Sequence, residues 1–242
     1  MIKQYLKSGL IILIPLLALS SCSDSFYNCI EGNGIMVLET RDKEGFIDVT
    51  SSGSFDVHIS YSPVYSVTVH ADENLQTHIR TLVVGDELII ETDRGRCLRS
   101  RNNIYVEVGM PDLSVAELEG SGNMSINNFD VPSMDVRLTG SGNIDVNNCY
   151  AGNLNAYLDG SGEINLSGEA RTVNYRLTGS GDIMAVNYIV DNCYVTLLGS
   201  GTIEVYALEI LDVVLTGSGD VYYYGNPVLT YEITGSGDII HR

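Results

Sequence analysis

From Val115 to the C-terminus, apolar and polar residues alternate with a period of two, and Gly-Ser-Gly interrupts the alternation at nearly even intervals. The first glycine of each triplet falls at Gly120, Gly140, Gly160, Gly179, Gly199, Gly217 and Gly235, in steps of 20, 20, 19, 20, 18 and 18 residues. Two residues before it stands Leu138, Leu158, Leu177, Leu197, Leu215 or Ile233, and four before it Val136, Ala156, Tyr175, Val195, Val213 or Tyr231. Four residues after it stands Met124, Ile144, Ile164, Ile183, Ile203, Val221 or Ile239. Alternation of this kind predicts strands with one buried face, since a helix would repeat at 3.6. Each repeat is read as two strands, with room for a short third piece around Phe129 or Cys149.

A single rung of this length cannot bury its own inner face, and stacking aligns equivalent positions into columns. The sequence therefore predicts an all-β chain, a right-handed parallel β-helix or solenoid of about seven GSG-marked rungs. A β-sandwich or a β-prism of hairpins is the alternative. The repeat domain is placed at residues 113–242. Residues 31–112 read as an irregular β-rich region with strands such as "DELIIETD" and "NNIYVEVGMP". Within it "SGSFDVHI" and "GNG" echo the triplet, and "NLQTHIRTLV" could hold a helical turn.

The first 21 residues change the picture of where the chain resides. "MIKQYLKSGLIILIPLLALSSC" has a basic start, an apolar run from Leu10 to Leu19 and small residues before Cys22, which reads as a secretory signal peptide. The ending "LSSC" resembles a lipobox, making Cys22 the expected lipidation site and residues 22–30 a tether. An ordinary signal peptide or a membrane anchor is the other reading, although the apolar run is short for a bilayer span. The expectation is an exported protein, lipid-anchored in the cell envelope, at the outer membrane.

Charge excludes one class of partner. The formal net charge is −18, and removing Lys3 and Lys7 with the leader makes it −20. Such a field repels phosphate backbones, so no nucleic-acid partner is expected. Among the remaining cysteines Cys149 and Cys193 read as core residues, and Cys29–Cys97 is the one pair to entertain as a disulfide. No CxxC pair, His cluster, Gly-x-Ser-x-Gly elbow, HExxH motif or phosphate loop appears, so no cofactor, metal or catalytic residue is assigned.

Three features bear on function. The residue after each triplet is Asn123, Asn143, Glu163, Asp182, Thr202, Asp220 or Asp238. It reads as a turn residue that bonds backbone, and secondarily as a weak calcium ligand. Three residues before the triplet, Arg137, Tyr157 and Arg176 follow one another, giving a candidate ligand surface for an acidic sugar or a ladder that stabilises the sheet. Later rungs should expose Tyr194, Leu198, Tyr206, Tyr222 and Tyr224, a candidate partner face for another protein or a second copy. The last rung carries no polar capping repeat, so self-association at that end is also expected. The loop "DRGRCLRSRNN" clusters Arg94, Arg96, Arg99 and Arg101. The four histidines are scattered along the chain, and Glu163 with Asp182, neighbours in the column beside the triplets, could imitate the carboxylate pair of a hydrolase or lyase.

The segments "GSFDVHI", "VTVHADENLQTHIRT", "DELIIET" and "IYVEVGMPDLSVAELEGSGNMSI", with the later GSG-N/D-I repeats, resemble the putative auto-transporter adhesin, head GIN domain family of Gram-negative bacterial lipoproteins. The resemblance covers nearly the whole chain after the leader. It implies a β-helix-like exported protein with an adhesive role and brings no catalytic residues. The expected function is thus a non-enzymatic, anchored solenoid binding a glycan or a protein. A carbohydrate-active enzyme or a self-assembling envelope scaffold on the same framework are the rivals.

Overall fold

The computed structural model describes residues 29–93 and 96–242. The leader, the Cys22 lipidation site, most of the tether and Arg94 lie outside the described residues. The chain is all-β, built from stacked parallel coils, and its only helical element among the described residues is one 3-10 turn, Gln76–His78.

Every GSG corner stands on the one beneath it. Gly140 pairs with Gly120, Gly160 with Gly140 and Gly179 with Gly160, and the same column runs on to Gly235. Backbone bonds follow the chain around the corner, from Ser161 N–H to the Gly140 carbonyl at 2.9 Å and from Glu163 N–H to the Gly142 carbonyl at 3.2 Å. The glycines are required by this stacking. The first of each triplet has positive φ, such as +130° at Gly140, and a Cβ on the second, Gly142, would lie 2.2 Å from the Gly122 carbonyl oxygen.

Each coil has three sides, which the breaks in alternation mark. In the strand Asn143–Gly160, Asn147 and Asn148 both face out, as do Gly152 and Asn153, whereas Ile144, Val146, Cys149, Leu154, Ala156 and Leu158 are buried. Asn148 turns the second corner at φ +52°, and Asn128 does so one coil earlier at +64°. Both are asparagines because their short polar side chain tolerates this conformation. The short third piece is therefore a real side, with Phe129 and Cys149 pointing inward. Length changes are absorbed there. Register shifts fall between Val146 and Cys149, Asn165 and Ser167, and Ala185 and Ile189, while the strands flanking each triplet keep register.

The N-terminal region adds two further layers to the same stack. Asp48–Gly53 lies parallel to Val115–Gly120 with Gly53 opposite Gly120, and Asp56–Tyr61 lies parallel to Asn123–Asn127. Beneath them, Glu87–Thr92 and Tyr105–Met110 pair in parallel again. Antiparallel strands then close the end: Ser66–Asp72 on Tyr105–Met110, Met36–Arg41 on Ser66–Asp72, and Ile79–Val84 on Glu87–Thr92. The 3-10 turn crosses the opening with Leu75 and Ile79 buried, and the Gln76 amide donates to the Val37 and Val69 carbonyls. Cys29 and Cys97 form a disulfide beside the parallel pair Ile30–Glu31 and Leu98–Arg99. Cys149 and Cys193 are free and buried.

Candidate functional site

The residue after each triplet serves the ladder. Asn143 donates to Asn123 Oδ1 at 3.0 Å, and Asn123 donates to Asp56 Oδ1 at 2.9 Å. The Asp182 carboxylate accepts the Thr202 N–H at 2.8 Å, and that of Asp220 accepts the Asp238 N–H at 3.0 Å. These oxygens are committed to the next coil. No group of three or more His, Cys, Asp or Glu side chains with metal-binding geometry occurs among the described residues. These bonds give the column a structural role.

Arg137, Tyr157 and Arg176 stand opposite one another on successive coils, as the sequence spacing requires. They face outward from the longest and flattest side, because each sits between two buried positions of its strand. The Arg137 guanidinium lies 5.9 Å from the centre of the Tyr157 ring. It is also engaged by Asp135 at 2.6 Å and by Glu117 at 3.9 Å. An amide ladder runs alongside, from Asn174 to Asn155 at 2.8 Å and from Asn155 to Asp135 at 2.7 Å. Arg176 is exposed and makes no ion pair among the described residues. The two arginines therefore differ: one is held by carboxylates, and the other has its donors open to a ligand.

The same side changes character along the axis. Toward the N-terminal end it is acidic, with Glu117 pushed above the usual carboxylate range by burial and then by Glu119. Asp48 is raised in the same way, by burial and then by Asp86. Beyond Arg176 come Thr196 and Val214, with Tyr194 and Leu198 beside them. The five residues expected to share a partner face divide between two sides. Tyr194 and Leu198 belong to this one, but Tyr206, Tyr222 and Tyr224 lie past the corner on the next, where Tyr206 stacks near Tyr224 and Arg242 sits 3.9 Å over the Tyr222 ring. The single tyrosine face expected from the sequence is corrected to two patches, because the GSG corner turns the chain between positions before and after it.

Two features escaped the sequence. His58 and His70 both pack against Tyr105, far from them in the chain, His70 stacking at 4.1 Å and bonding Glu107 at 2.8 Å. The strand Tyr105–Met110 pairs in parallel with Asp56–Tyr61 and antiparallel with Ser66–Asp72, which brings them together, and no local motif announces it. The second is a groove of about 430 Å³ on the third side, lined by Tyr150, Glu169, Arg171, Asp191, Ile189 and Leu208 among others, where Gly152 and Ala151 leave the sheet shallow. Glu163 and Asp182 line another hollow with Asn147 and Asn165, but Asp182 is already bonded to backbone.

The family described as "Putative auto-transporter adhesin, head GIN domain" matches residues 45–227, most of the described coils. The chain belongs to this family. Several solved structures share the fold. A putative adhesin from Bacteroides fragilis superposes with a TM-score of 0.83 at 20% identity, covering 88% of this chain and 100% of its own. A protein from Parabacteroides distasonis described as a putative lipid binding protein gives 0.72 at 28% identity, over 88% and 99%. A putative adhesin from Parabacteroides merdae gives 0.67 at 22% identity, over 88% and 99%. No curated protein matches the chain. The matched span ends at 227, so the last coil of this GIN domain lies beyond it.

Proposed function

We propose that this GIN-domain protein is a non-catalytic binding module of the cell envelope, exported by residues 1–21 and anchored by lipid on Cys22. Its ligand is a glycan laid along the flat side, with one ring on Tyr157 and polar groups on Arg176. The observation that carries this reading is the inequality of the two arginines: Arg176 is exposed and free of ion pairs among the described residues, while Arg137 is braced behind Tyr157. A body of charge −20, once Lys3 and Lys7 leave with the leader, repels polyanions. The reading therefore favours chains that are neutral or carry isolated carboxylates over densely charged ones. The family's adhesin description agrees with surface binding.

The coil interior is filled by buried columns of Leu, Ile and Val, so a lipid of the kind named for the Parabacteroides distasonis relative would have to bind outside it. A second reading, a carbohydrate-active enzyme, is favoured by the third-side groove, which sets Glu169 and Asp191 beside Arg171. A glycan array probed with the chain lacking residues 1–22, and with its Arg137, Tyr157 and Arg176 alanine variants, separates the two. Signal lost with Tyr157→Ala and Arg176→Ala supports the flat side. Signal unchanged by all three variants retires it, and glycan cleavage abolished by Glu169→Gln would establish the enzyme reading.

A further inference from the structure

The two ends of the solenoid differ. The N-terminal end is closed by antiparallel strands and the plug at Leu75 and Ile79. At the other end, the strand Val228–Gly235 pairs only with Thr202–Gly217 among the described strands, leaving one edge of backbone donors and acceptors unpaired. Its inward residues occupy core columns but are not covered. Tyr231 is 60% and Ile233 39% exposed, whereas Val213 and Leu215, one coil back in the same columns, are 0% and 1% exposed. An open strand edge flanked by uncovered core is a template for another strand.

From this geometry we infer that a second copy of the chain covers this end, through an antiparallel, two-fold pairing of Val228–Gly235 with itself. The strand is self-complementary about Tyr231. Opposed residues share a side of the sheet, so Tyr231 meets its own copy and Leu229 meets Ile233, joining the two cores. On the outer side Thr230 meets Glu232, and no like charges are opposed. Neighbouring registers are worse. Centring on Glu232 sets carboxylate against carboxylate, and centring on Thr230 brings Ile233 against Pro227, which has no N–H to donate. The pairing uses the same strand in both copies and consumes its open edge, so the assembly closes as a dimer rather than growing into a filament.

Light scattering on the chain lacking residues 1–22 tests this, with Tyr231→Arg and Tyr231→Cys as variants. The wild type should run at twice the chain mass. Tyr231→Arg, which puts two guanidiniums on the axis, should halve that mass while leaving the circular dichroism melt of the coils in place. Tyr231→Cys should cross-link into a covalent dimer under mild oxidation, since residues directly opposed in an antiparallel pair have Cβ atoms about 4.5–5.5 Å apart. A monomeric wild type, or a dimer that survives Tyr231→Arg and fails to cross-link through position 231, overturns the inference.

Discussion

A Cβ built on Gly160 would stand 2.1 Å from the carbonyl oxygen of Gly140 in the coil beneath. Gly160 also has φ +142°, a conformation that L side chains rarely adopt. Ser161, between the two glycines of its triplet, is exposed. Gly160→Ala should therefore destabilise by more than about 1 kcal/mol, through backbone strain and forced separation of two coils. Ser161→Ala should stay within about 0.5 kcal/mol of wild type. Urea unfolding of both variants checks this, and equal midpoints would mean that the stacking does not require glycine.

Tyr175 and Tyr188 carry hydroxyls into the core, where neither finds a hydrogen-bond partner. Burial drives both phenols upward, so both stay protonated at neutral pH. An unpaired buried hydroxyl costs about 1–3 kcal/mol. Tyr188→Phe is expected to be neutral or stabilising, whereas Tyr188→Ala should cost about 3–5 kcal/mol, as for other large aromatic truncations. A drop in melting temperature for Tyr188→Phe would show a bonded hydroxyl.

The N-terminal end depends on Asp72 and the disulfide together. The Asp72 carboxylate accepts hydrogen bonds from Asn102 and, at 2.7 Å, from Ser100, and these hold its pKa below the usual 3.8. A carboxylate with a lowered folded pKa adds stability above its unfolded value, and that stability is lost as pH falls through the folded value. Amide exchange in residues 97–103 should therefore accelerate below about pH 4 in wild type. It should be fast already at neutral pH in Asp72→Ala. Exchange that is independent of pH after correction for intrinsic rates would contradict the assignment. Cys29 and Cys97 close a loop of 68 residues, and replacing both by serine should cost about 2–4 kcal/mol.

Burial pushes the Cys193 thiol far above its ordinary value and raises that of Cys149. Both should resist a thiol reagent in the native protein and react only on unfolding. Two equivalents modified at once under native conditions would show that the coil interior opens.

Much of this fold is legible in the sequence, because stacking forces every coil to repeat the same inward pattern around the triplet. Leu138, Leu158 and Leu177 follow one another at steps of 20 and 19 residues and so declare one column. The third side is harder to read, since it is short and absorbs the insertions: Phe129 and Cys149 each stand nine residues after the first glycine of their triplet, but the next coil sets Gly168, eight after Gly160, opposite Cys149. The coil made by Asp48–Gly53 and Asp56–Tyr61 is obscured because Ser51 takes the place of a core leucine and Phe55 that of the second glycine. Of the outward residues, the Arg137–Tyr157–Arg176 column follows from spacing alone. What spacing does not contain is the bond from Arg137 to Asp135, which makes the two arginines unequal. The corner that divides Tyr194 from Tyr222 is equally invisible to a count of tyrosines.

The most direct test of the central claim is a calorimetric titration with a defined oligosaccharide carrying one uronate per disaccharide, such as a hyaluronan fragment. Wild type, Tyr157→Ala, Arg176→Ala and Ser161→Ala should be compared, with polygalacturonate as the densely charged contrast. Binding that falls at least tenfold in the first two variants, is unchanged in Ser161→Ala and is weaker for polygalacturonate is the predicted result. Equal affinity in all four proteins, or loss in Ser161→Ala alone, would contradict it and return the Gly-Ser-Gly column to consideration as the binding site.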